Sequence, residues 1–279
     1  MQSLTQIRAY LDEAGATPKK KFGQNFLHDQ NQLRKLVEAS GIGEGDVALE
    51  VGPGTGTLTE ALLESGARVV ACEIDDDMVG VLARHVAPHW PDRLTIVEGD
   101  ALASKRSLNP AVVEALDASF RLVANLPYGA ASPLVTTLLT AHHPSLPNDE
   151  TTPRCVGLFV TVQKEVADRI LATPGGKDYG PLTVICQALA RVERVSVLPP
   201  SCFWPAPKVT SAMIALTPRD RIEIDPARLS RGLSMIFRSR RKQLKSLTPK
   251  SMTWPDGVLP TMRPEQLSVD QLVAICDQF

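Results

Sequence analysis

Asn125-Leu126-Pro127-Tyr128 sets an amide, a proline and an aromatic ring directly after the apolar run Phe120-Arg121-Leu122-Val123-Ala124. That order suits the holding of a flat base with an exocyclic amine. The amine nitrogen of adenine shares its lone pair with the ring, so alkylating it requires the pair to be localised, and two acceptors at the amine hydrogens do this. The side-chain oxygen of Asn125 and the main-chain carbonyl of Leu126 can converge on one amine. Pro127 makes this possible by fixing its own φ and driving the residue before it toward an extended conformation. Tyr128 can then lie on the ring face. Taken alone, the four residues read as readily as a turn in which Asn and Pro redirect the chain and Tyr is half buried. The neighbouring strand ends decide between the two.

Three earlier segments have the character of strands that end in polar or glycine residues. Val47-Ala48-Leu49-Glu50-Val51 reads as a short buried strand followed by Gly52-Pro53-Gly54-Thr55-Gly56 and a helical pattern from Leu58 to Leu63. A strand, a tight glycine turn and a helix N-terminus leave bare backbone for a ligand to touch. Arg68–Cys72 leads to Glu73, where a carboxylate can accept both hydroxyls of a ribose. Leu94–Val97 leads to Asp100, placed to accept from an adenine amine, with Leu102 available to pack on that ring. Each carboxylate alone could as well be a helix cap or a surface group. Together with Asn125 they form a row at successive strand ends, and ligands of open α/β sheets bind beyond the carboxyl ends of the strands.

The glycine spacing separates two nucleotide folds. A dinucleotide fingerprint would need a third glycine at position 57, which is Thr57; the glycines stand at 52, 54 and 56 instead. That pattern resembles the first motif of class I S-adenosylmethionine-dependent methyltransferases. Over nearly its whole length the chain resembles the ribosomal RNA adenine N6-dimethyltransferases, and most closely the bacterial branch that acts on two adjacent adenines near the 3′ end of 16S ribosomal RNA. The resemblance is carried by Lys-Phe-Gly-Gln-Asn-Phe-Leu at 21–27, Glu-Val-Gly-Pro-Gly-Thr-Gly at 50–56, Glu73-Ile74-Asp75, Gly99-Asp100-Ala101 and Asn-Leu-Pro-Tyr at 125–128. It continues through Val-Gln-Lys-Glu-Val-Ala at 162–167, Lys177-Asp178-Tyr179-Gly180, Phe-Trp-Pro-Ala-Pro-Lys-Val at 203–209 and Phe-Arg-Ser-Arg-Arg-Lys-Gln-Leu at 237–244.

The resemblance implies an α/β, Rossmann-like class I methyltransferase with a seven-stranded, mostly parallel sheet, spanning 1–221, and a small RNA-binding α-helical domain at 222–279. It implies S-adenosylmethionine as cofactor, contacted by Asn25, Leu27, Gly52, Gly54, Glu73, Asp100 and Asn125. Catalysis would fall to Asn125, Leu126 and Tyr128, with Tyr128 and Phe203 binding the substrate base. The implied partner is 16S ribosomal RNA within the small subunit, met by a monomer. Two other readings stay open at this point: a 23S enzyme of the macrolide-resistance type, and a subunit-assembly checkpoint in which binding outweighs methylation. One departure from the family is Gly129, where Asn commonly follows the tyrosine; it bears on the pocket wall that accommodates a once-methylated amine.

Composition bounds the rest. The chain has 279 residues, 43% of them hydrophobic, with a net charge of −1, which permits one large α/β domain and an appendage. No apolar run approaches the roughly 18 residues of a membrane span, and the first residues lack a secretory layout, so a cytoplasmic protein is expected. The five cysteines are widely spaced and never in a Cys-x-x-Cys pair, which argues against disulfides and zinc. The five histidines lack acidic or Cys partners at ligand spacing, and no metal is expected.

Charge divides unevenly. Residues 41–150 hold 6 basic and 16 acidic side chains, and residues 151–279 hold 18 and 11, as expected if the middle takes a small cation and the flanks meet a polyanion. Thr17-Pro18-Lys19-Lys20-Lys21-Phe22 reads as a basic, aromatic loop able to hold phosphates, or simply as a solvated one. Four prolines stiffen the connection 199–207, so Phe203, and less readily Trp204, could clamp a splayed-out base opposite Tyr128. Residues 142–153 read as a surface loop. From Asp225 the pattern is helical with short loops, through Leu229, Leu233, Ile236 and Phe237 and then five positive charges at 238–245, with a closing helix at 264–276.

Overall fold

In the computed structural model, residues 1–104, 106–146 and 152–279 are described. Short apolar runs alternating with amphipathic helices must pair as parallel strands with helical crossovers, and they do. The strands are β1 (Val47–Val51), β2 (Arg68–Glu73), β3 (Leu94–Glu98), β4 (Ser119–Asn125), β5 (Arg154–Gln163), β6 (Ala190–Leu198) and β7 (Ser211–Pro218). They form one sheet in the order β3-β2-β1-β4-β5-β7-β6. The first five are parallel, and β7 runs antiparallel between β5 and β6. This is the seven-stranded, mostly parallel, Rossmann-like sheet expected from the sequence.

Successive residues of the central strands face opposite sides of the sheet. Leu49, Val51, Val70, Leu122, Ala124 and Val160 enter one apolar core, and Ala48, Val69, Ala71, Val123 and Met213 enter the other. Burial on both faces explains why these strands read as near-continuous apolar runs. The helices flanking them are α1 (Leu4–Glu13), α2 (Gln30–Ser40), α3 (Thr57–Glu64), α4 (Asp76–His85), α5 (Pro110–Ala115), α6 (Ala131–Ala141), α7 (Lys164–Ile170) and α8 (Pro181–Leu189), with α9 (Pro226–Phe237) and α10 (Val269–Cys276) beyond the sheet. Local signals set several of their ends. Asp29 caps α2 by accepting from Asn31 N at 3.0 Å and Gln32 N at 3.1 Å, and Gly41 closes it with φ 58°.

Three sequence expectations are corrected. The cationic run at 238–245 does not continue α9; it forms turns with a single 3-10 turn at Leu244–Ser246. Only Leu244 among these residues is buried, so a helix there would have no apolar stripe to bury. The closing helix is shorter than 264–276. It starts at Val269 because Ser268 and Gln271 form a capping box, the Ser268 hydroxyl accepting from Gln271 N at 3.2 Å and the Gln271 side chain from Ser268 N at 3.0 Å. Finally, 142–153 is not simply a surface loop. His142 and His143 are buried, with His142 Nδ1 against the Pro153 carbonyl at 2.8 Å and His143 Nε2 against the Leu189 carbonyl at 2.9 Å. Residues 147–151 of that stretch lie outside the described residues.

The segment beyond β7 is not a separate bead. Leu229, Leu233 and Ile236 of α9 and Leu272 and Ile275 of α10 belong to the same apolar core as Val160 of β5 and Ile185 of α8. No helix of the described residues is long and apolar enough to cross a membrane. Among them, no three His, Cys, Asp or Glu side chains gather as a metal site, and all five cysteines are free and buried.

Candidate active site

The connections after β1 and β4 leave the sheet in opposite directions, which opens a crevice at the carboxyl ends of these neighbouring strands. A cleft of about 430 Å³ occupies this position. Ten residues singled out from the sequence line it: Asn25, Leu27, Gly52, Gly54, Glu73, Asp100, Asn125, Leu126, Tyr128 and Phe203. Residues 20–27 of the N-terminal loop form one side of the cleft and are anchored by a two-residue ribbon, in which Phe26 and Leu27 pair antiparallel with Trp204 and Phe203.

The glycine turn is built for close approach. Gly52, Gly54 and Gly56 have φ values of 72°, 59° and 93°, conformations that side chains resist. A Cβ on Gly54 would lie 2.8 Å from the Phe26 ring, and one on Gly52 would lie 3.0 Å from Pro127 Cγ. Glu73 ties the turn to β2. Its Oε2 accepts from Gly54 N at 3.1 Å, and its Oε1 accepts from Ile74 N at 2.9 Å and Asp75 N at 3.0 Å. Burial pushes the Glu73 carboxyl above the usual range, against these three N–H groups, which pull it down. A carboxylate offers about four acceptor sites, so Glu73 keeps capacity for a ligand hydroxyl. Asp100 is exposed and uses Oδ1 to accept from Leu102 N at 2.9 Å, leaving Oδ2 open. The Thr55 hydroxyl is buried and lacks a hydrogen-bond partner among the described residues, while Thr55 lines the cleft. Bare backbone, an orphaned hydroxyl and the acidic side chains of Glu73 and Asp100 fit a polar, cationic nucleoside such as S-adenosylmethionine.

At the other end of the cleft, Asn125 closes β4. Its Nδ2 donates to the Asn25 carbonyl at 3.1 Å, a bond that only the amide nitrogen can make, so the orientation of the amide is settled. Asn125 Oδ1 accepts no bond among the described residues, and neither does the Leu126 carbonyl, whose own N–H is spent on the Thr161 carbonyl at 3.1 Å. Two adjoining acceptors are thus left over. The Tyr128 hydroxyl lies 3.3 Å from Ser211 Oγ, which steadies the ring. Gly129 lines the same wall, and a Cβ there would meet nothing within 4 Å.

A family model described as ribosomal RNA adenine dimethylase matches residues 15–279. The chain belongs to the ribosomal RNA adenine dimethylase family. Its relatives include "Ribosomal RNA small subunit methyltransferase A" of Bifidobacterium adolescentis, 38% identical over 96% of this chain and 91% of that protein. The protein of the same name from Paracoccus denitrificans is 39% identical over 99% of this chain and 96% of its own length. Among solved structures, a dimethyladenosine transferase from Plasmodium falciparum has a TM-score of 0.70 at 23% identity, covering 90% of this chain and 95% of its own. The 23S rRNA methyltransferase ErmE has a TM-score of 0.63 at 24% identity, covering 91% and 100%. At those identities the structural likeness is one of fold.

In this dimethylase some cleft residues were not foreseen. Ile74, 44% exposed, and Ala101 line the cleft, whereas Leu102 does not and packs against the main core. Trp204 also lies outside the cleft, stacked on Phe26 at 6.3 Å and covered by Arg8 at 5.0 Å. Phe203 does line it, as a buried residue of the apolar core. Lys19 is not free for phosphate: it pairs with Asp75 at 2.5 Å and Asp77 at 2.7 Å. Burial alone would raise Asp75, but the bonds from Lys19 and Gln24 outweigh it and hold its carboxyl below the usual range.

Glu50 is the largest omission from the sequence reading. It is buried inside β1, lines the cleft, and accepts from the Thr59 hydroxyl at 2.6 Å. A charged residue within an apolar strand, two positions before a glycine turn, was the available signal. Burial, reinforced by the neighbouring negative charge of Glu73 and opposed by the Thr59 bond, pushes its pKa from 4.5 up to about 8. A carboxyl whose pKa rises on folding contributes stability that is complete below 4.5 and is lost as pH climbs to about 8. Glu50→Gln keeps the acceptor for Thr59 and cannot ionise. In urea unfolding of the ligand-free protein between pH 5 and 8, the variant should lack a downward slope of up to ~1.4 kcal/mol per pH unit shown by the parent. Parallel stability curves for the two proteins would show that Glu50 does not titrate this way.

Proposed function

We propose that the protein transfers methyl groups from S-adenosylmethionine to N6 of two adjacent adenines in the 3′-terminal hairpin loop of 16S ribosomal RNA, within the small ribosomal subunit, giving N6,N6-dimethyladenine. The observation that carries this reading is the pair of acceptors without a partner among the described residues, Asn125 Oδ1 and the Leu126 carbonyl, at the end of the cleft opposite Glu73 and Asp100. The choice of small subunit draws on relatives 35–39% identical that are named for it.

When bound, S-adenosylmethionine supplies a methyl carbon made electrophilic by the attached sulfonium. Glu73 would accept from its ribose and Asp100 from its adenine amine, while Asn25, Leu27 and the bare backbone at Gly52 and Gly54 would enclose it. Asn125 and the Leu126 carbonyl accept the two hydrogens of the target amine. This pulls the nitrogen lone pair out of conjugation and points it along the line of transfer. Tyr128 lies on the base, and Phe203 adds an apolar wall. The amine proton leaves to water once the new bond has formed, so no covalent enzyme intermediate and no side-chain base are required. Positioning and exclusion of water carry the rate.

Residues 222–279 would supply the grip on RNA. Arg238, Arg240, Arg241, Lys242 and Lys245 are all exposed, and none pairs with a carboxylate among the described residues. Such a cluster suits phosphates. The deciding experiment is transfer of labelled methyl groups to small subunits lacking the modification, with large subunits in parallel and the product mapped by reverse-transcription stops. Stops at two adjacent adenines near the 3′ end of the small-subunit RNA are expected. Label confined to large subunits would overturn the assignment.

A further inference from the structure

The loop from Lys19 to Asn25 is held at both ends of the cleft. At the carboxylate end, Asp75 is 2% exposed and takes Lys19 Nζ on Oδ1 at 2.5 Å and Gln24 Nε2 on Oδ2 at 2.6 Å. The Gln24 side-chain oxygen in turn accepts from Lys19 N at 2.7 Å. Inside the loop, Asn25 Nδ2 donates to the Gly23 carbonyl at 2.9 Å, and Gly23 N donates to the Lys20 carbonyl at 3.0 Å. At the other end, the Asn25 carbonyl receives Asn125 Nδ2 at 3.1 Å. Asp75 and Asn125 end up as the two anchors of one braced segment.

We propose that Asp75 is a positioning residue for methyl transfer: through Gln24 and the adjoining Asn25 carbonyl, it fixes which way the Asn125 amide faces. This rests on the methyl-transfer reading above. The amide of Asn125 has one donor side and one acceptor side. With the Asn25 carbonyl in place, the donor side is engaged and Oδ1 faces the acceptor subsite. Without it, the amide can turn over and present NH2 toward an incoming amine, where two donors would repel.

The requirement at 75 is for a carboxylate in particular. Three donors converge on it: Lys19 Nζ, Gln24 Nε2 and Asp77 N, the last at 3.3 Å. Asparagine caps helices well and would still serve Asp77 N, but it offers one acceptor oxygen instead of two. If that oxygen stays on Lys19, the new NH2 faces Gln24 Nε2. Turning Gln24 over to meet it would forfeit the Gln24 bond to Lys19 N, so every arrangement of Asp75→Asn loses a tie.

The test uses the full-length protein, with Asp75→Asn and Gln24→Ala made singly and together. Hydrogen exchange is followed without donor or RNA, and transfer is then assayed at saturating donor. Faster exchange at the Lys19 and Gly23 amides is expected in both variants. A kcat lowered about tenfold, an RNA KM within about threefold of the parent, and a double variant no worse than either single one are expected with it, since both act on one network. Unchanged kcat alongside faster exchange would overturn the proposal, and so would a lowered kcat with unchanged exchange in 19–25. Should Asp75→Asn unfold, Gln24→Ala decides the matter from the other side of the same bond. A parent protein that methylates no RNA would count against the proposed function instead, and the exchange data would still show whether Asp75 holds the loop.

Discussion

Replacing Asn125 by alanine is expected to slow methyl transfer by about 10²–10³-fold while leaving donor affinity within about threefold. The asymmetry follows from the geometry. Asn125 Oδ1 is one of two acceptors left unpaired among the described residues at the end of the cleft, and it would act on the amine as the nitrogen becomes tetrahedral. Loss of one such preorganised contact costs about 3–4 kcal/mol at the transition state. On the donor side, Glu73, Asp100 and the glycine turn make no hydrogen bond to Asn125. Isothermal titration with the donor, set beside single-turnover transfer, separates the two effects. Near-normal transfer by Asn125→Ala would show that the amine is held some other way, and a parallel collapse of donor binding would show that Asn125 serves the other end of the cleft.

Gly54→Ala should produce the complementary defect. Its φ of 59° costs an L-residue about 1–2 kcal/mol, and the added methyl would sit 2.8 Å from the Phe26 ring. Phe26 has little room to retreat. It is 7% exposed, stacks on Trp204 at 6.3 Å, and packs with Ile7, Leu11 and Met78. The turn must therefore shift, which disturbs the Gly54 N–H that Glu73 accepts. Donor affinity is expected to fall about 100-fold, with stability lowered by ~2 kcal/mol. Rate at saturating donor should suffer much less than in Asn125→Ala. Unaltered donor binding would mean that the backbone at this turn is not where the donor sits.

The two substitutions act on features that differ in how openly the sequence displays them. Strand ends are legible because apolar runs stop abruptly at Gly52, Glu73, Glu98 (two residues before Asp100) and Asn125, and a parallel sheet brings such ends together whatever the detail of the helices. Helices α6 and α8 were not legible. Both lie against the sheet with most of their residues buried, so neither shows the polar face that marks an amphipathic helix, and β-branched residues in both imitate strands. The ties from Lys19 and Gln24 to Asp75 span 56 and 51 residues and leave no periodic trace. Lys19 looked like one of three interchangeable surface cations until the fold set a buried carboxylate beside it. Leu102 failed as a wall of the cleft for a related reason: the short ribbon pairing it with Leu108 carries it toward the main core.

One consequence of the shared apolar core extends past the chemistry. Leu229, Leu233, Leu272 and Ile275 are packed into the same interior as the strands that carry Asn125, and apolar contact of this kind resists the hinge motion expected of loosely joined units. The exposed cations at 238–245 are therefore carried at a set offset from the cleft. On the function proposed above, an RNA gripped there would meet a caliper rather than a tether, and the adenine reaching Asn125 would be the one its own folded shape delivers at that span.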